Sequence, residues 1–469
     1  MACQATSGDI RMAGDMTRHF AGLDTLSPQK HEVQQRRLLR LFFATYWLIV
    51  FTGAIRKWLF PTHQIFYLLQ DIPIAIAYLY ALVTGLFTRV YLALGIALLC
   101  AVLIVHGLLQ VVLIDLPIKV LVIGLHNYIF YLPILLIFPL AMNADGRKKY
   151  IRWNLLLNIP MTLLLVAQSR SSATAFINRT TALKGFGGLE GDLARGTGTF
   201  NFVSFYAVWL SMVLALCMGE WLISQERRAC GKLLLIASTA GALLSTAVSG
   251  ERTSLGLAAI IVIASMAAAV VLRAIRPMLI TVGVLLLAPG IMLIAIQISP
   301  TMLRAFEART TNSFNVQDSK RRIVYMLTGF IPQRYDPVGA GLGEGSNAAH
   351  VGEVDGYDAT YSLDEQDLPR TVDELGTFSG SLYVLMRIGT AVGLLLLGMY
   401  LLVNQRYPHS LLLSVLVFVQ FYLADMTRNS SMTATQELLA ASFVLGVFYF
   451  PADNSCDALN PIHPESVYA

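Results

Sequence analysis

The 469-residue chain is poor in charge and in cysteine: Asp, Glu, Lys and Arg together make up 13% of it, and there are 5 cysteines. So little charge, set against 56% apolar residues and a mean hydropathy of +0.62, excludes an ordinary soluble domain. No CxxC pair and no zinc-type spacing of Cys and His occurs, so neither a structural zinc site nor a dithiol redox centre is expected. The acidic stretch 349–373 lacks the central Gly and terminal Glu of a calcium loop, and no other metal site suggests itself. Residues 1–38 are polar and contain no apolar core ending in small residues, so no removable signal peptide is expected. No internal repeat halves the chain, unlike the inverted repeats of many transporters. The run PVGAGLGEGSN (Pro337 to Asn347) has none of the α/β surroundings that a nucleotide loop requires, and no nucleic acid partner is expected.

What the chain does have is apolar runs close to the roughly 20 residues that cross a bilayer as a helix. They predict an all-α polytopic membrane protein with about 12 transmembrane helices: 39–56, 65–87, 90–114, 118–141, 151–168, 200–221, 232–249, 253–272, 277–298, 379–403, 408–425 and 433–451. Arg36, Arg37, Arg40, Arg89, Arg147, Lys148, Lys149, Arg152, Arg227, Arg228, Lys232, Arg273, Arg276 and Arg406 all fall on the side of the N-terminus. Positive charge in short loops marks the cytoplasm, so both termini are expected there, with a long periplasmic loop between spans nine and ten. The expected segments are a cytoplasmic tail 1–38, spans one to nine 39–298, the loop 299–378, spans ten to twelve 379–451 and a cytoplasmic tail 452–469. Cys3, Cys230 and Cys456 fall in cytoplasmic segments and Cys100 and Cys217 within spans, which agrees with this orientation.

Loops held over a rigid scaffold are where chemistry concentrates, and the long loop gathers Arg309, Arg321, Arg322, Arg370, Glu365, Asp367 and Glu374. Three earlier outer segments add Arg56 and Lys57, then Arg195, then Arg252 in the tight junction AVSGERTS (Ala247 to Ser254). For Arg56 and Lys57 a binding role and simple snorkelling beside Trp58 are both open. Arg252 requires an anionic partner, which Glu251 or a ligand would supply. Gln317 to Ile331 reads as an amphipathic helix with a basic start, lying on the membrane or packed on the bundle. The glycine turn is either a connector or a place where backbone N–H groups approach a substrate, and Glu374 either takes part in chemistry or caps the tenth span.

The order of several short pieces resembles the O-antigen polymerase and O-antigen ligase superfamily of bacterial inner-membrane enzymes, in particular its exopolysaccharide branch. The pieces are GAIRKWLFP (Gly53 to Pro61) followed by Asp71; IPMTLLLVAQ (Ile159 to Gln168) followed by Asn178 and Arg179; RGTGTFNFVSFYA (Arg195 to Ala207); SGERT (Ser249 to Thr253); Arg309 and Arg322; PVGAGLGEGSN; and ELGTFSG (Glu374 to Gly380). The resemblance implies a C-type glycosyltransferase fold and inverting transfer, without metal or cofactor, from an undecaprenyl-pyrophosphate-linked oligosaccharide at the outer leaflet. Membrane lipids and a chain-length-regulating co-polymerase are the partners such an enzyme would have. Arg56, Arg195, Arg252, Arg309, Arg322 and Arg370 would bind the diphosphate, since guanidinium grips phosphate bidentately and stays charged. Ligase relatives carry a His about nine positions before the Glu of the ELG segment; here that position is Glu365. Glu365 is therefore the first candidate for general base, followed by Asp367 and Glu374. A polymerase is the leading expectation. The alternatives are a ligase acting on lipid A core, a flippase or other transporter using Asp71 and Asp425, and a non-catalytic scaffold.

Overall fold

A computed structural model describes residues 28–61, 63–86, 91–179, 189–190, 193–194, 196–223, 229–273, 324–325, 328–332, 335–346, 366–423 and 431–451, with isolated positions between 278 and 297. Its helices are α1 (Pro28–Ala54), α2 (Asp71–Val83), α3 (Tyr91–Leu113), α4 (Ile118–Ile129), α5 (Ile134–Ile137), α6 (Ala144–Arg170), α7 (Val203–Ile223), α8 (Ala229–Val248), α9 (Arg252–Val271), α10 (Asp367–Gln405), α11 (Pro408–Leu423) and α12 (Ser431–Tyr449). The strands among the described residues are one two-residue antiparallel pair, Leu189–Glu190 with Leu193–Ala194. Among the described residues, nine helical stretches are long and apolar enough to cross a membrane: α1, α3, the α4–α5 unit, α6 to α10, and α12. The expected second and eleventh spans are the shorter apolar helices α2 and α11. The expected ninth span, most of the loop and most of the amphipathic helix lie outside the described residues.

The centre of the bundle is α7. Its residues are apolar on every side, as a helix enclosed by others must be, and it packs against α6, α8, α9, α11 and α12. Phe205, Tyr206 and Trp209 are fully enclosed on it. In contrast, α3 leaves Leu94, Leu98, Val105 and Val112 exposed, the signature of a face meeting lipid. Asn143 caps α6 by accepting from the Gly146 N–H at 2.8 Å. Arg147, expected as one of a run of cytoplasmic surface charges, is buried instead. It donates to the carbonyls of Met142 (2.8 Å), Gly446 (3.1 Å) and Phe450 (2.9 Å), closing the end of α12, where the last carbonyls lack partners within the helix.

The element that positions the site is α10. The tenth span was expected to start at 379, but helix begins at Asp367, so Asp367, Arg370 and Glu374 stand on a helix and not on the loop assigned to 299–378. Pro369 is tolerated because it falls in the first turn, where its missing N–H would have no helical partner. Gly376 interrupts the helix with φ 73° and ψ 173°, a conformation that only glycine adopts readily. A straight helix would separate positions 367 and 387 by roughly 30 Å. Yet the Asp367 carboxylate bonds directly to Arg387, and Gly380 packs on the backbone of Val372. The chain therefore reverses at Gly376, and 367–375 is a short arm lying back along the long helix.

Candidate functional site

Positions 367, 370 and 374 share one face of the arm. Asp367 accepts from Arg370 Nη2 through one carboxylate oxygen and from Arg387 Nη1 through the other. Arg370 Nε stands 3.5 Å from Glu374 Oε1. All four are buried, with 1% to 4% of their surface exposed. Charges removed from water this completely persist only when paired and hydrogen-bonded, and here each carboxylate faces a guanidinium.

Glu374 ties the arm to the glycine turn. Its Oε2 accepts from Tyr128 Oη at 3.0 Å and from the Gly343 N–H at 3.0 Å, and its Oε1 accepts from the Gly345 N–H at 3.1 Å. Gln110 of α3 completes the junction, donating to the carbonyls of Val338 (2.6 Å) and Glu374 (2.7 Å) and accepting from the Leu342 N–H at 2.8 Å. Two expectations change here. Two backbone N–H groups of the glycine turn are taken up by a carboxylate of the chain itself, and Glu374 secures a separate segment instead of capping its own helix. The turn lies backbone to backbone against α4, with Gly343 at φ 95° beside the Cα of Gly124, which leaves no room for a side chain at either position.

Beside this cluster lies a cavity of about 320 Å³ between α3, α4, α10, α11 and α12. Its walls are largely apolar, with Asn127, Tyr128, Tyr383, Arg387 and Thr390 as polar members. Leu98, which is 66% exposed on the outer flank of α3, also lines it, so the cavity runs from that flank inward to Arg387. Tyr131 on the wall donates to Asp71 Oδ1 at 2.7 Å, and His126 Nε2 lies 3.0 Å from Asp71 Oδ2. Asn127 donates to Ser346 Oγ at 3.1 Å, joining this wall to the glycine turn.

A second polar cluster brings together three of the pieces named above. Lys57 was expected either to snorkel or to bind. It is instead buried, and it donates to Thr197 Oγ1 at 2.9 Å and to the Gly198 carbonyl at 2.8 Å. Gln168 Oε1 accepts from the N–H groups of Thr197 (3.0 Å) and Gly198 (2.8 Å). Gly53 packs against the backbone of 199–201 so closely that no side chain would fit. Arg56 is half-buried here, 5.2 Å above the Tyr67 ring, and Asn201 accepts from its Nη1 at 2.9 Å with the amide turned to do so.

Of the expected site residues, the structure unites Asp367, Arg370 and Glu374 and places Arg56 in the separate cluster around Lys57 and Asn201. Arg195, Arg309, Arg322 and Glu365 lie outside the described residues, as does Asp425. Arg252 opens α9 after Gly250 at φ 61°; its side chain lies outside the described set. Next to it, burial pushes the Glu251 carboxyl up to about 7, opposed by a bond from Ser254 Oγ at 3.4 Å. Sequence reading passed over Arg387, Tyr128 and Glu437. For Arg387 and Glu437 the signal was available, since an ionisable residue inside an apolar span marks a functional position by default. Among the described residues no group of three or more His, Cys, Asp or Glu side chains is arranged to hold a metal ion.

Comparison of the chain with family models, with curated proteins and with solved structures finds no match.

Proposed function

We propose that the protein is a glycosyltransferase acting at the outer leaflet of the bacterial inner membrane. In this reading it is a polymerase that joins undecaprenyl-pyrophosphate-linked repeat units by metal-independent, inverting transfer. The observation that supports the reading is an apolar cavity leading from the exposed flank of α3 to Arg387 and the ionised cluster on the α10 arm. A donor with a hydrocarbon tail and a diphosphate head suits an apolar passage that ends on guanidinium groups.

Arg387 and Arg370 supply the positive face of the site, and Asp367, bonded to both, fixes their direction. Glu374 is committed to the glycine turn, so the proton of the attacking hydroxyl falls to Glu365, two positions before Asp367. Arg195, Arg252, Arg309 and Arg322 are proposed to complete the diphosphate clamp. A charge-assisted contact contributes roughly 1.5 to 3 kcal/mol. Two that strengthen in the transition state would give roughly two to four decades in rate.

The test is incubation of the purified protein in lipid nanodiscs with a synthetic lipid-linked repeat unit. A ladder of products and free undecaprenyl pyrophosphate, with no metal added, is expected, and Glu365→Gln should abolish it while the protein remains in the membrane. Transfer to lipid A core alone would identify a ligase. Movement of the substrate between leaflets of a proteoliposome with no new glycosidic bond would identify a flippase and end the enzymatic reading.

A further inference from the structure

The ion cluster does not account for all the buried polarity around the cavity. At the connecting end of the α11–α12 hairpin, Gln420, Gln436 and Glu437 are 3%, 2% and 1% exposed. Among the described residues, Gln420 Nε2, both polar atoms of the Gln436 amide and both oxygens of Glu437 have no hydrogen-bond partner. Groups of this kind are almost always bonded when they are removed from water, so five such atoms on one hairpin need a physical reason. The same stretch walls the cavity: Phe421 follows Gln420, and Ala434 and Leu438 bracket Gln436 and Glu437. Glu437 also interacts electrostatically with Arg387 and Asp367, which sets it at the polar end of the cavity.

We infer that Gln420, Gln436 and Glu437 form a carbohydrate subsite at the inner end of this cavity. The donor and acceptor inventory selects the ligand. Three acceptors (Glu437 Oε1 and Oε2, Gln436 Oε1) stand with two amide donor nitrogens (Gln420 Nε2, Gln436 Nε2). Sugar hydroxyls, each both donor and acceptor, match such a mixed set. A hydrocarbon chain would leave all five atoms unsatisfied, a simple cation would not use the amide N–H groups, and an anion would meet the Glu437 carboxylate. The subsite rests on the proposed function for the origin of its sugar, and it deepens that reading by separating glycan recognition on α11–α12 from diphosphate recognition on the arginines.

Saturation-transfer NMR on the purified full-length protein in nanodiscs, with methyl hexosides and methyl hexuronides as probes, tests this without any turnover. The neutral hexosides are expected to receive saturation. Gln436→Leu and Glu437→Gln should each weaken their binding roughly tenfold or more. The hexuronides should bind less well than the hexosides to the wild type and gain on Glu437→Gln, where the repelling charge is gone. Gln436→Leu should keep or raise the thermal midpoint, since it removes an unsatisfied buried amide, so its loss of binding would not reflect unfolding. Absence of transfer to every glycoside, or transfer unchanged in both variants, overturns the subsite. Glycoside binding with no diphosphate released from the lipid-linked donor would overturn the proposed function and leave the subsite standing; diphosphate release without glycoside binding does the reverse.

Discussion

Arg387 is the residue on which the ion cluster turns, because it reaches the Asp367 carboxylate from the opposite arm of the α10 hairpin. Arg387→Ala leaves that buried carboxylate with one guanidinium fewer and should cost about 3 to 5 kcal/mol, read as a lowered thermal midpoint in detergent. The double replacement Asp367→Ala/Arg387→Ala should cost less than the sum of its parts, since it removes both charges together. Glu251 yields a pH dependence. Its carboxyl titrates near 7 when folded and near 4.5 when unfolded, so the folded protein holds the proton more tightly. Stability should therefore fall as pH rises from 4.5 to 7, by up to roughly 3 kcal/mol, and Glu251→Gln should flatten that slope in a melting-temperature profile. At this scale the sequence disclosed which residue types matter but not their pairings. Asp367, Arg370 and Glu374 could be picked out as a charged trio, while Arg387 was hidden by its apolar surroundings and Lys57 by its place at the end of an apolar run.

The arm of α10 depends on a single backbone conformation. An added Cβ at Gly376 would meet the carbonyl oxygens of Asp336 at 2.8 Å and Pro337 at 2.9 Å, in addition to the unfavourable φ. Gly376→Ala should destabilise the protein by about 1 to 3 kcal/mol. It should also loosen the arm, seen as faster amide hydrogen exchange across 367–375. The arm was not legible because DLPRTVDEL has the charge density of a solvated loop. Its burial is supplied by partners far away in the chain, Tyr128, Gly343, Gly345 and Arg387, and no local pattern announces them. The α4–α5 unit shows the opposite error, since the apolar run continues through Pro133 and reads as one unbroken span.

For the whole molecule, hydropathy was a good guide because crossing a bilayer is a local requirement, met residue by residue along each helix. Nine of the expected spans correspond to long apolar helices among the described residues, and α2 and α11 depart from expectation only in length. Orientation follows from charge asymmetry and can be checked with the native thiols. In intact spheroplasts Cys3, Cys230 and Cys456 should resist a membrane-impermeant maleimide and react once the membrane is opened, with Cys100 and Cys217 unreactive within α3 and α7. Labelling of Cys3 or Cys456 before permeabilisation would reverse the assignment of sides.

The enclosure of α7 has a temporal side. Its Glu220 lies 3.1 Å from His409 at the start of α11, a partner made roughly 190 residues later in the chain. At roughly 5 to 20 residues per second, ribosomal synthesis leaves that carboxyl waiting on the order of 10 to 40 s. Throughout that interval the most deeply packed helix of the finished bundle stands half-covered in the bilayer, where an insertase or chaperone shielding it would be of most use.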